Sequence, residues 1–210
     1  MNNPTPITGT PNIALDIETL STHNNAAIIS IAAKVFNFSG KPVPYDKNKT
    51  TFYAIINASS CAMCGMHFDM ETVNWWKRQS FEAKAPHNCL TLQSKLNISG
   101  ALDQLKTFIN DIRELSPSGN ILIWCQGTDF DIPILKNAYT EILGWETPWR
   151  HTELRDSRTF IHGILGLIRP DVEDPYSLIP KNPKWKAHDA LSDVDQLIWN
   201  VTHVAKILLP

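Results

Sequence analysis

Asp16 and Glu18, separated by one residue, close an apolar run that begins at Asn12-Ile13-Ala14-Leu15. Strand alternation sends both side chains out of one face. They then stand about 6 to 7 Å apart, and two like charges at a buried strand end resist desolvation unless a cation neutralises them. Three later segments supply partners: Phe130-Asp131 after the apolar run Ile121-Leu122-Ile123-Trp124, then His188, then Asp193. The order is D-x-E, then D, then H-x4-D. Four carboxylates balance two dications, and an oxygen-only ligand set favours Mg²⁺ or Mn²⁺ over zinc.

Each segment also has a purely structural explanation. D-x-E fits a solvated turn or a lysine-paired surface. Asp131 fits a helix N-terminal acid, since Pro133 stands near the first helical position. His188-Asp189-Ala190-Leu191-Ser192-Asp193 fits a capped helix start, with Asp189 as the cap and Asp193 complementing the dipole. What distinguishes the set is its conjunction. Each acid sits where a strand ends or a helix begins, which is where open α/β sheets gather ligands.

The five positions resemble the motif of the DEDDh 3′-5′ exonucleases of the DnaQ-like, ribonuclease-H-like superfamily. Asp16 and Glu18 match its first motif, Asp131 its second, and His188 with Asp193 its third. No tyrosine stands four residues before Asp193, which disfavours the tyrosine version of the motif. Three stretches are similar to phage DexA-type exonucleases and small bacterial exoribonucleases: Thr72 to Ser80 with Glu82-Ala83, Trp124 to Gly127 leading into Phe130 to Leu135, and Arg155 to Thr159. The resemblance spans residues 12–200 and leaves the amino-terminal dozen outside. It implies a single exonuclease domain over 12–210, after a flexible tail over 1–11.

Phosphodiester hydrolysis needs a nucleophile, charge neutralisation at the phosphoryl oxygens and a stabilised leaving oxygen, and two cations about 3.5 to 4 Å apart supply the electrostatic part. On this reading Asp16 bridges the two ions, Glu18 and Asp193 complete the nucleophile-side site, and Asp131 holds the other. His188 is the general base, because imidazole titrates near working pH. For substrate, the resemblance implies that Thr19 and Leu20 line the terminal nucleotide, with Leu20 against the base. Trp75 and Trp76 cannot share a helix face, so one belongs to the core and the other to the cleft; Trp76 is assigned to the cleft. Arg155 and Arg158 flank Asp156 and either hold a phosphate or are neutralised by that carboxylate.

The elements that must position these groups alternate between β and α. Residues 12–18 read as a first strand, and 26–38 as a β-rich run ending at Ser39-Gly40, forming a hairpin with a third strand at 51–56. Helices read over 69–79 and over 98–115, where Ile98, Ala101, Leu102, Leu105, Phe108, Ile109, Ile112 and Leu115 repeat at helical spacing. Pro117-Ser118-Gly119 ends that helix, 121–124 reads as a buried strand, 129–143 as a helix, and Leu191 to Leu208 as a last one. The fold class is α/β, a ribonuclease-H-like mixed five-stranded sheet with helices on both faces. Pro170, Pro175, Pro180 and Pro183 break any helix across 169–186, so a long loop delivers His188. That loop either orders over a bound 3′ terminus or is a static surface feature.

At 210 residues and 43% hydrophobic, the chain can bury one sizeable core. A net charge of −2 provides no basic arm for counterion release, so substrate binding is expected to be local and cation-assisted. No signal peptide or apolar run long enough to span a membrane is visible, which predicts a cytoplasmic protein with reduced thiols. Cys61, Cys64, His67, His87 and Cys89 have ligand types suited to zinc, but the second knuckle lacks the usual spacing, and free thiols are the expected outcome. The expected partners are single-stranded DNA or RNA 3′ ends, with DNA slightly ahead; a homodimer is allowed and no membrane partner is expected. An exoribonuclease is the alternative, and a catalytically idle module a third reading. A DDE-type transposase or an endonuclease shares the fold, but the close D-x-E pair and H-x4-D argue against both.

Overall fold

The structure is a computed structural model that describes residues 9–39, 43, 50–79 and 96–208. Five strands form one sheet: β1 (Asn12–Thr19), β2 (Ile28–Phe36), β3 (Thr51–Ile55), β4 (Leu122–Cys125) and β5 (Leu154–Asp156), in the order β3-β2-β1-β4-β5. β1 runs antiparallel to β2 and parallel to β4, and β5 is parallel to β4. This is the ribonuclease-H-like mixed sheet read from the sequence. Pro11, placed in the tail by that reading, accepts a bond from Leu122 N at 2.8 Å and so extends the β1–β4 ladder.

The sheet separates two apolar layers. On one face Ile13, Leu15 and Ile17 of β1 pack with α3 (Ile98–Glu114), whose Ile98, Ala101, Leu102, Leu105, Ile109 and Ile112 are buried in the expected stripe. The short helices α1 (Ala58–Met63) and α2 (Met70–Arg78) border this layer, and α4 (Asp131–Asn137) joins it through Ile132, Ile134 and Leu135. On the other face Ala14, Ala32 and Trp124 pack against Ala190, Val194, Leu197 and Val201 of α6 (Ala190–Leu208). Ala14 shares its parity on β1 with Asp16 and Glu18, so the two carboxylates face the start of α6.

Three local features depart from the sequence reading. The helix expected over 129–143 is α-helical to Asn137 and then widens into a π-turn over Ala138–Ile142. β5 and the helix after it, α5 (Ser157–Ile168), went unread. A three-residue strand shows too little alternation to register, and a π-turn of five residues keeps an apolar spacing close to that of an α-helix. The proline-rich loop over 169–186 holds one 3₁₀ turn (Pro175–Leu178) and is tied to α6, where Trp199 Nε1 donates to Pro180 O at 2.7 Å. Among the described residues no helix is long and apolar enough to cross a membrane.

Candidate active site

The parallel pair β1 and β4 brings its C-terminal ends together with the start of α6, and the acidic residues gather there. One carboxylate oxygen from each of Asp16, Glu18 and Asp193 lies within 4.8 Å of the others. Asp131 opens α4, where its charge complements the helix N-terminus, and its Oδ1 accepts the backbone N–H of Ile17 at 3.2 Å. Asp193 is held on both oxygens: Oδ1 accepts from Trp185 Nε1 at 2.7 Å and Oδ2 from His188 N at 2.9 Å. Asp189 plays the capping role read from sequence, accepting from Leu191 N at 3.1 Å.

The electrostatics are those of crowded acids. Burial is the largest influence on Asp16 and raises its carboxyl well above the usual range, with Asp131, Glu18 and Asp193 adding repulsion. Burial, then Asp193 and Asp131, pushes Glu18 up to about 8. Asp131 is pushed to about 7 by burial, against the opposing bond from Ile17 N and the nearby Arg158 charge. Asp193 is raised too, by burial foremost. Carboxylates that are costly to ionise together, with oxygens this close, fit divalent cations. A hard oxygen set of this kind suits Mg²⁺ or Mn²⁺.

His188 stands beside this cluster with φ 66°, the sole non-glycine residue at positive φ among the described residues. Its ring meets the Trp75 indole edge to face, with centroids 4.7 Å apart. From Glu18 a pocket of about 530 Å³ opens, lined also by Thr19, Ser21, Thr22, Asp69, Glu71, Thr72, Trp75, Trp76, Arg78 and Phe130. Its volume lies in the range of small-ligand sites.

The substrate residues read from sequence fare unevenly. Thr19 lines the pocket. Leu20 is 6% exposed and sits in the core layer instead, because β1 ends at Thr19 and the chain bends at Leu20, where strand alternation no longer applies. The tryptophans do not divide into one core and one cleft residue: Trp76 lines the pocket as assigned and is also largely buried, donating Nε1–H to Thr19 O at 2.8 Å, while the half-buried Trp75 lines the same pocket. Arg155 lies on the edge strand, outside the pocket lining, its Nη1 donating to the carbonyls of Thr152 and Leu154. Asp156 caps α5 through Thr159 N at 2.7 Å and also accepts Thr128 N at 3.0 Å, so it braces the β4–α4 loop. Arg158 is the flanking cation that bears on the acids: its guanidinium packs over Gly127, at φ 93°, and lowers Asp131. Sequence spacing put Arg155 and Arg158 on either side of Asp156, and the strand-to-helix junction turns Arg158 rather than Arg155 toward the acids. Phe130 went unread as a pocket residue.

Among the described residues, Asp16, Glu18 and Asp193 form the one cluster of metal-ligating type. Cys61 is buried with its thiol on Ile28 O, Cys64 is exposed, and His67 stacks on His23 at 4.1 Å. These three make no metal group. His87 and Cys89 lie outside the described residues.

Residues 11–208 match the family described as the 3′-5′ exoribonuclease Rv2179c-like domain. The exodeoxyribonuclease of Enterobacteria phage T4 is 26% identical over 196 residues, which cover 85% of this chain and 82% of that protein. The fold is similar to that of Escherichia coli exonuclease I in complex with a dT13 oligonucleotide, with a TM-score of 0.58 at 15% identity over 95% of this chain and 41% of that one. The zinc-bound form of the same enzyme with single-stranded DNA gives a TM-score of 0.62, also at 15% identity, over 95% and 41%. This chain therefore spans about two fifths of exonuclease I. With an alignment over nearly its whole length, the chain belongs to the Rv2179c-like 3′-5′ exoribonuclease domain family and is a DnaQ-like 3′-5′ exonuclease.

Proposed function

We propose that this 3′-5′ exonuclease hydrolyses single-stranded nucleic acid from its 3′ end, releasing 5′-mononucleotides with the help of two Mg²⁺ or Mn²⁺ ions. The observation that carries the reading is the convergence of Asp16, Glu18 and Asp193 within 4.8 Å beside Asp131, at the mouth of an aromatic-walled pocket. Asp16, Glu18, Asp131 and Asp193 would hold the ions. Bound there, divalent cations neutralise charge on the phosphoryl oxygens and lower the pKa of water.

The chain's own groups do the rest. His188 accepts a proton from the attacking water at an imidazole nitrogen, and the Trp75 indole limits where that ring can sit. Trp75, Trp76 and Phe130 offer π-faces to the terminal base, and stacking contributes about 1 to 3 kcal/mol per base without selecting its identity. Thr19 anchors the pocket floor, its hydroxyl donating to Ser21 O at 2.7 Å. An unpaired end reaches such a pocket without the cost of melting a duplex.

DNA is the first substrate reading, supported by the phage T4 relative, and RNA the second, supported by the family's own description. The two differ in whether the pocket hydrogen-bonds a 2′-hydroxyl. Single-stranded DNA, duplex DNA and RNA of one sequence, labelled at the 5′ end and digested with MgCl₂ or MnCl₂, test the proposal. A ladder shortening from the 3′ end on single strands is expected. Internal cuts, or digestion that is independent of cations, would refute it.

A further inference from the structure

Two buried hydroxyl oxygens, Ser30 Oγ and Tyr53 Oη, have no hydrogen-bond partner among the described residues. A buried polar atom without a partner is costly, so its persistence calls for an explanation. The sheet register shows where the two hydroxyls lie. Asp16, Ala32 and Tyr53 form one row across β1, β2 and β3, and Glu18, Ser30 and Ile55 form the next. Residues directly opposed in antiparallel strands share a face, so both hydroxyls stand on the face that carries the two carboxylates. In the row between Asp16 and Tyr53 stands Ala32, whose methyl group is too short to screen the phenol from β1.

The start of α6 covers this face. Asp189 lies within electrostatic reach of Asp16, Glu18 and Asp193. The Tyr53 phenol is raised by burial first, then by the charges of Asp189 and Glu18. Asp189 uses Oδ1 for Leu191 N, which leaves Oδ2 for another donor. Ser30 and Tyr53 share the sheet face of Glu18, and Asp189 bears on Tyr53 from α6, so a water held among these groups would have the two to four polar partners that a buried water requires.

We infer that Tyr53 and Ser30 are positioning residues of the active site: their hydroxyls, through a shared water, fix the Glu18 and Asp189 carboxylates that border the cation site. Asp189 adjoins His188, so the same network also steadies the segment that carries the base. Groups that orient metal ligands in this way are typically worth about 10- to 100-fold in metal affinity or activity. The inference rests on the cation-binding reading above, and its test keeps the two apart.

Manganese titration calorimetry on the full chain, with thermal denaturation of the cation-free protein alongside, compares wild type, Asp16→Asn, Tyr53→Phe and Ser30→Ala. The expected result is about a 10- to 100-fold loss of Mn²⁺ affinity in Tyr53→Phe and a loss in the same direction in Ser30→Ala. Neither variant should melt lower than wild type without cations, because each removed hydroxyl has no protein partner. Wild type and Asp16→Asn that both fail to take up Mn²⁺ would remove the cation site itself, and the positioning role with it. Wild type that binds while both hydroxyl variants bind equally well would overturn the positioning role alone. Should Tyr53→Phe not fold, Ser30→Ala decides: affinity equal to wild type overturns the inference, and weakened affinity with an unchanged melting temperature supports it.

Discussion

Ile17 donates its backbone N–H to Asp131 Oδ1 at 3.2 Å, across 114 positions of sequence. The bond ties the carboxylate at the start of α4 to the strand residue that lies between Asp16 and Glu18. An amide oxygen can accept the same bond, so Asp131→Asn keeps the tie and removes a buried charge. We expect that variant to keep its fold, lose turnover, and melt higher than wild type in cation-free buffer. Scanning calorimetry checks this, and a lower melting temperature would contradict the electrostatic account.

The raised carboxyls set a pH dependence for the cation-free protein. Glu18 moves from an ordinary 4.5 to about 8 in the fold, so the folded state holds its proton more tightly than the unfolded chain does. Stability therefore falls as pH rises from about 4.5 to about 8 and levels off above that. Asp131, raised to about 7, contributes in the same direction. Melting curves near pH 5 and about pH 8.5, with and without MnCl₂, should show cation stabilisation growing with pH. Glu18→Gln should flatten the slope. A cation-free protein that gains stability across this window would contradict the assignment.

His188 combines the proposed general-base role with backbone strain. His188→Ala should lower kcat by about 10²-fold or more, the usual scale for general acid–base catalysis, with little change in melting temperature. His188→Gly should lose the same activity but exceed His188→Ala in stability by about 1 kcal/mol, because φ 66° suits glycine. Unchanged kcat in either variant would remove His188 from the mechanism.

Away from the site, Glu153 is 3% exposed and takes both arms of Arg113 as well as Arg150 N at 2.8 Å. Burial would raise its carboxyl, but these donors outweigh it and hold the carboxyl below the ordinary 4.5. The depressed value means that the stabilisation is present above about pH 4.5 and is lost as pH falls through the folded value. Glu153→Ala leaves Arg113 without its partner, and breaking a buried pair costs about 3 to 5 kcal/mol. Denaturant titration should show that loss at neutral pH and a smaller one in acid.

The sequence reading went furthest where a pattern is long or a pair is close. Alternation on β1 put Asp16 and Glu18 on one face, and the stripe from Ile98 to Ile112 marked the helix over the opposite layer. It failed where one residue of register decides depth. The bend after Thr19 leaves Leu20 inward, and nothing in the apolar pattern of that segment announces it. Trp75 and Trp76 lie about 100° apart on α2, and helical spacing does not show that both reach the pocket or that Trp76 donates to Thr19 O. Arg158 comes to the acids because β5 and α5 meet at Asp156, a junction too short for any periodicity to reveal. Ser30 and Tyr53 carry no motif, and their relation to Glu18 exists only through pairing across three strands.

The central claim is that acids remote in the chain form one cation site. Crystals grown or soaked in saturating MnCl₂, with data collected at the manganese absorption edge, test it most directly. We expect two anomalous peaks bounded by Asp16, Glu18, Asp131 and Asp193, both lost in Asp16→Asn. An anomalous map without a peak among those four carboxylates would contradict the account.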